Sequence, residues 1–243
     1  MSIAALGPDV LAHILSFASD SFISWAVLLR VNKLFNTADL RWHFEVKARG
    51  RRALKQLGIN HLNRVCNLVL GDFEFHAANL VIPPFPFLTK LQVIKCASNL
   101  TLSTVYPSLK ELCLRLCAVD DEGLRLITDS LESLILLGCP KITGASLLHF
   151  QHLKHLRLRH MKLIANAPLA ATLQRLDMEH CDGLTDIPLL PELHTLTVLS
   201  CNDVKTIADQ PKLRAAWIDR CMYLDDWRLG DEFRHVDWYP YKY

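Results

Sequence analysis

Eight cysteines and eleven histidines are the side chains here best able to do chemistry, and their spacing decides which chemistry is open to them. A zinc site or a redox pair is usually announced by C-x-x-C, and the chain contains none. Cys96, Cys117, Cys139, Cys181, Cys201 and Cys221 instead fall at one equivalent place in a recurring pattern. In a reducing compartment such cysteines act as small buried hydrophobes. Stacked thiolates inside an apolar core would be too costly to serve as metal ligands. His180 and Cys181 are neighbours, as the base and nucleophile of a catalytic pair need to be in space, but on a strand they point to opposite faces. The acidic run Asp120, Asp121 and Glu122 is better placed to cap a helix start. There is no G-x-S-x-G, no H-E-x-x-H and no glycine-rich phosphate loop. The expectation is a protein that is not an enzyme and uses no cofactor and no metal.

Binding is the chemistry that remains. Twenty-seven Lys and Arg against 25 Asp and Glu leave a net charge of +2 in 243 residues, too little to pull the whole chain toward nucleic acid. The run KARGRRALK (Lys47, Arg49, Arg51, Arg52, Lys55) is locally basic, but Ala48, Ala53, Leu54 and Leu57 interleave with it, as on a solvated helix face. No apolar run approaches the roughly 20 residues of a membrane span. The N-terminus lacks the basic n-region of a signal peptide. These features predict a cytoplasmic or nuclear protein with no membrane partner, and make nucleic acid an unlikely one.

The elements that must position any binding residues are repeats. The pattern φ-x-x-φ-x-φ-x-x-φ, with φ apolar, starts at Val65, Leu88, Leu109, Leu131, Leu153, Leu173, Leu193, Leu213 and Phe233. Examples are LKELCLRLC, LQRLDMEHC and LHTLTVLSC. The central φ-x-φ is strand alternation. One such strand cannot bury its apolar face alone, so the turns must stack into a parallel sheet over a continuous core. The connections returning to the next strand are short. Extended or 3₁₀ pieces fit the 20-residue turns, and the segments DEGLRLITDS and TGASLLHFQH could hold short helices.

The residues between the apolar ones then face outward. They include Arg157 and Arg159 in one turn, Asp177 and Glu179 in the next, and Trp217 and Asp219 two turns on, with Tyr239 in the last. Adjacent strands lie about 4.8 Å apart, which places Arg157 beside Asp177 and Arg159 beside Glu179. Trp217 stands at a strand centre between Thr197 and Asp237, and Trp and Arg dominate interface hot spots. These seven residues are the candidate partner-binding set. Trp238, Tyr239, Tyr241 and Tyr243 crowd the end and suit a terminal cap.

The repeat resembles the cysteine-type leucine-rich repeat, and the stretch LTDIPLLPELHTLTV resembles the short proline-bearing turns of bacterial effectors. The resemblance implies a curved solenoid over residues 62–243, with the parallel sheet and the seven candidate residues on its concave side.

Residues 1–46 do not follow the repeat and read as three short helices, with residues 47–61 as a basic linker helix. Pro8 and Asp9 suit a first helical turn. Leu11, Ile14, Leu15 and Ala18 follow a helical period. A helical cap over the open end of the solenoid is one reading. The segments GPDVLAHILSFAS and LLRVNKLFNTADLRW also resemble an F-box through Pro8, Leu11, Ile14, Leu15, Ser16, Phe17, Val31, Lys33, Phe35 and Trp42. Gly7, Val10 and Arg41 depart from the usual residues of that motif. An F-box joined to leucine-rich repeats implies an α/β chain that acts as a substrate adaptor of a Skp–cullin–F-box ubiquitin ligase. Pro8, Leu11, Ile14, Leu15, Val31, Phe35 and Trp42 would form or support the face for a Skp-family adaptor, and through it a cullin. The repeats would hold an unknown substrate protein. A repeat scaffold of some other assembly, unrelated to ubiquitin, is the competing expectation, and a bacterial effector that mimics an F-box in a host cell is a third.

Overall fold

The computed structural model describes residues 42–49, 65–71, 80–82, 84–96, 100–101, 106–127 and 129–224. For residues 42–49, 80–81 and 100–101 it describes the backbone alone. Its strands are β1 (Trp42–Arg49), β2 (Val65–Gly71), β3 (Leu80–Val81), β4 (Lys90–Ile94), β5 (Leu100–Thr101), β6 (Glu111–Arg115) and β7 (Ser133–Leu137). They continue as β8 (His155–Arg159), β9 (Arg175–Glu179), β10 (Asp186–Ile187), β11 (Thr195–Leu199), β12 (Thr206–Ile207) and β13 (Ala215–Asp219). Nine of them form one parallel sheet in the order β1-β2-β4-β6-β7-β8-β9-β11-β13. The chain is thus a parallel-strand β-solenoid.

The apolar template builds the core directly. Leu112, Leu134, Leu156, Leu176 and Leu196 form one buried row, in register from strand to strand. Leu88, Leu109, Leu131, Leu153, Leu173 and Leu193 form another at the strand entrances. Each buried leucine contributes roughly 1.5–3 kcal/mol. No single turn can realise that burial, because the neighbouring turns supply its walls.

The template steps by two along the strand and by three on leaving it, and the backbone explains the change. The residue before the ninth position takes a left-handed conformation in every described turn from β4 onward: Lys95, Leu116, Gly138, His160, His180, Ser200 and Arg220, with φ of 50–62°. This conformation shifts the side-chain phase by one residue. Leu116 therefore turns outward, 50% exposed, while Cys117 turns in, 1% exposed. The left-handed region costs a non-glycine residue about 1 kcal/mol. A ladder of hydrogen bonds offsets it: the Leu116 amide donates to the Leu137 carbonyl (2.8 Å), His160 to Glu179 (2.9 Å), His180 to Leu199 (2.9 Å) and Ser200 to Asp219 (2.8 Å). Gly138 is the glycine of the series, and a Cβ there would lie 2.8 Å from Leu116 Cδ2.

The return segments vary with turn length. Two longer turns carry helix α1 (Asp121–Arg125) and a 3₁₀ turn at Leu147–His149, in the two segments where short helices are expected. A 20-residue turn has no room for these, and its return is the two-residue strand β10, paired with β12. Polar side chains staple these segments together. The Asp121 carboxylate accepts four hydrogen bonds from the next turn: from the Thr143 and Ser146 amides (2.8 and 3.0 Å) and from both hydroxyls (2.8 Å each). Buried Gln210 accepts from the Leu190 amide (2.9 Å) and donates to the Pro188 and Ala208 carbonyls (2.9 and 2.8 Å).

The N-terminal expectation needs correction. Trp42 and residues 43–49 are a strand, paired in parallel with β2, so the sheet runs through the boundary expected at residue 46. Trp42 is therefore not part of a helical F-box, and Lys47 and Arg49 do not lie in a linker helix. The reason is legible: Trp42, Phe44, Val46 and Ala48 alternate with His43, Glu45, Lys47 and Arg49, a period of two that a helix cannot use. Very little helix is present among the described residues. The expected helices of residues 1–41, with Pro8, Leu11, Ile14, Leu15, Val31 and Phe35, lie outside the described residues, as does the ninth repeat at Phe233 with Tyr239.

Candidate functional site

The outward face of the main sheet carries the residues singled out for binding. Arg157 and Arg159 project from β8, Asp177 and Glu179 from β9, and Trp217 and Asp219 from β13. Their positions follow from the alternation: Leu156, Leu158, Leu176 and Met178 are buried on the inner face. The register sets Arg157 opposite Asp177 and Arg159 opposite Glu179.

The ion pairs only partly follow this register. Arg159 Nη2 lies 3.0 Å from Glu179 Oε1, the lateral pair that strand spacing predicts. Asp177 behaves differently. Its Oδ2 accepts from Nε of Arg175 on the same strand at 2.8 Å, and its buried Oδ1 has no hydrogen-bond partner. Two residues along a strand share a face, so Arg175 competes with Arg157 for one carboxylate and holds it. Among the described residues, neither Arg157 nor Arg115 has a salt-bridge partner.

Apolar side chains share this face. Ile135 and Leu137 on β7 are half-buried, and Leu137 lies between Arg115 and Arg159 in the register. Leu116 leans over Gly138 beside them. Half-buried Cys113 sits opposite Ile135. Burial raises its thiol pKa, while Arg115, Lys90 and Arg157 act in the opposite direction, so the positive field of three strands reaches this point. Farther along, Trp217 is 39% exposed beside Thr197.

At the carboxyl ends of the strands the left-handed residues open a groove of about 510 Å³, lined by His160, Lys162, His180, Asp182, Asn202 and Arg220 among others. The His160 and His180 rings stack there, 4.8 Å apart and 5° from parallel. Sequence reasoning did not single out this pair. The signal was present, since both histidines precede the ninth position of successive repeats.

The repeated cysteines lie below this edge. The Cys117 thiol is 3.4 Å from the Val93 carbonyl oxygen of the previous turn and 3.3 Å from that of Arg115. Cys139 and Cys221 approach the carbonyls of their previous turns in the same way. Burial pushes the Cys117 thiol up to about 12 and also raises Cys139 and Cys221. These three remain protonated near neutral pH and serve as hydrogen-bonding fillers of the turn.

No family model, no curated protein and no solved structure matches this chain.

Proposed function

We propose that this chain is a non-catalytic protein-recognition subunit, and that the outward face of its sheet, the concave face of a leucine-rich-repeat solenoid, holds the partner. One observation carries the reading: a stack of strands leaves Trp217, Leu116 and unpaired Arg115 and Arg157 on a single continuous face. Tryptophan and arginine are enriched among the residues that carry binding energy at protein interfaces, and an arginine without an ion pair is free to take a partner's carboxylate. Site-specific photocrosslinkers at Arg157 and Thr197, compared with Lys205 and Leu189 on the return segments, test it in cells. Discrete protein adducts from the first pair are expected. Adducts from the second pair alone, or from neither, would refute the assignment of the face.

The N-terminal motif favours a second, more specific reading. Pro8, Leu11, Ile14, Leu15, Val31 and Phe35 support an adaptor role in a Skp–cullin–F-box ubiquitin ligase, with the solenoid presenting the substrate. Trp42 drops out of that set. Co-expression with a Skp-family adaptor separates this from a scaffold of another assembly. Recovery of the adaptor by the wild-type chain, and not by a Leu11→Asp, Ile14→Asp variant of unchanged fold, is the expected result. No recovery with a folded chain leaves the scaffold.

A further inference from the structure

The charge on the outward face is not spread evenly. Strands β4, β6, β7 and β8, with the left-handed residues that follow them, carry Lys90, Lys95, Arg115, Arg157 and Arg159 outward against the single carboxylate Glu111. Glu111 pairs with Lys90 at 2.8 Å, and Arg159 is met from β9 by Glu179. Arg115 and Arg157 form no ion pair with any described carboxylate, although Asp177 stands opposite Arg157 in the register. A chain of net charge +2 therefore concentrates positive charge on one patch. At the centre of that patch Leu137 stands between Arg115 and Arg159, with Ile135 next to Arg157.

Resting on the recognition reading above, we propose that the partner of this face is an acidic protein segment that seats an apolar side chain on Ile135 and Leu137 and places carboxylates against Arg115, Arg157 and Arg159. Guanidinium groups are suited to carboxylates because they offer paired, parallel donors. Arg115 and Arg159 are two strand spacings apart, about 10 Å, which is the span of three residues of extended chain. The apolar centre argues against a nucleic acid. Single strands are held by aromatic side chains that stack on bases, and no Phe, Tyr or Trp is among the outward residues described on β4, β6, β7 and β8. A pair of leucines or similar residues between two carboxylates matches both the charge and the apolar strip.

Short synthetic peptides, read by fluorescence anisotropy against the full chain, test the proposal. Three sets place paired leucines among Asp and Glu, among Ser and Gln, or among Lys and Arg. A fourth is acidic without leucine, and a single-stranded DNA of matched charge is the fifth probe. Acidic leucine peptides should bind best. Arg115→Glu and Arg157→Glu should each weaken them about tenfold or more, while Lys205→Glu, with the same change in net charge, should leave binding unchanged. Both arginines are exposed, so the variants should melt as the wild type does, which thermal unfolding checks. Equal binding of the acidic peptides lacking leucine, or an equal loss in Lys205→Glu, would reduce the effect to diffuse charge and overturn the proposal. Stronger binding of the DNA with the same arginine dependence would replace the partner with a nucleic acid. Outward-face binding of the neutral or basic leucine peptides would overturn the acidic partner and leave the recognition face standing. Crosslinks from Arg157 and Thr197 without acidic-peptide binding would do the same, and silence in both experiments would remove both readings.

Discussion

Asp121 shows how much one polar side chain can do in a stacked architecture. Burial by itself would raise its pKa, but hydrogen bonds from the amides and hydroxyls of Thr143 and Ser146 outweigh burial and lower it. A group whose folded pKa is depressed adds stability above its unfolded pKa, and that stability is lost as pH falls through the folded value. Asp121→Asn is therefore expected to destabilise the protein by about 2 kcal/mol at neutral pH, because an amide cannot accept all four hydrogen bonds. The gap between variant and wild type should close as pH falls below about 4. Urea unfolding across that pH range measures it, and a gap that does not change with pH would show that the carboxylate's charge is irrelevant. The sequence suggested a capping role for this acidic run. Capping falls to Asp120, whose side chain accepts from the Gly123 amide, while Asp121 reaches across to the next turn. Nothing within the run Asp120–Asp121–Glu122 distinguishes these tasks, because the donors are more than twenty residues away.

At the scale of the element, the recurring left-handed exit residue decides how each strand ends. Six of the seven are not glycine, so a composition-based search for turns passes over them. Ser200, with φ of 53°, provides a direct test. Glycine in the middle of a strand weakens it, but Ser200→Gly should be neutral or stabilising by up to about 1 kcal/mol, since it removes left-handed strain. Ser200→Val should be strongly destabilising, because a β-branched residue fits this region worst. If the two variants had equal stability, measured by thermal unfolding, the exit would not be constrained by its backbone. Gly183 is a more extreme case. At φ +92° an added Cβ would lie 1.7 Å from the Leu163 carbonyl oxygen, so the position excludes any side chain. Strand β1 makes the complementary point. Its period of two was present in residues 42–49, but the basic residues there read equally well as a solvated helix face. Only a neighbouring strand in register, β2, decides between them.

At the scale of the molecule, each turn is held by its neighbours, and the exposed ion pairs are ornament to the core. Lys90–Glu111, Lys110–Glu132–Lys154 and Lys212–Glu192 link successive turns at 2.7–2.9 Å. All are solvent-exposed, and such pairs are screened by salt. Raising NaCl from low ionic strength to about 1 M should leave the melting temperature nearly unchanged by circular dichroism. The same change should weaken acidic-peptide binding strongly, because that attraction lies between molecules. A large fall in melting temperature would mean that charge, rather than the leucine rows, holds the turns together. What the sequence determined by itself is the stacking of the turns from Val65 onward and, in the described turns, which side chains face outward, because an apolar template repeated every 20–23 residues buries its leucines only when the turns stack. The tertiary structure alone decided which outward charges form ion pairs. Arg157 stands across the strands from Asp177 and Arg175 two residues along the same strand, and the choice between them is made by side-chain geometry on a shared face, which periodicity does not encode.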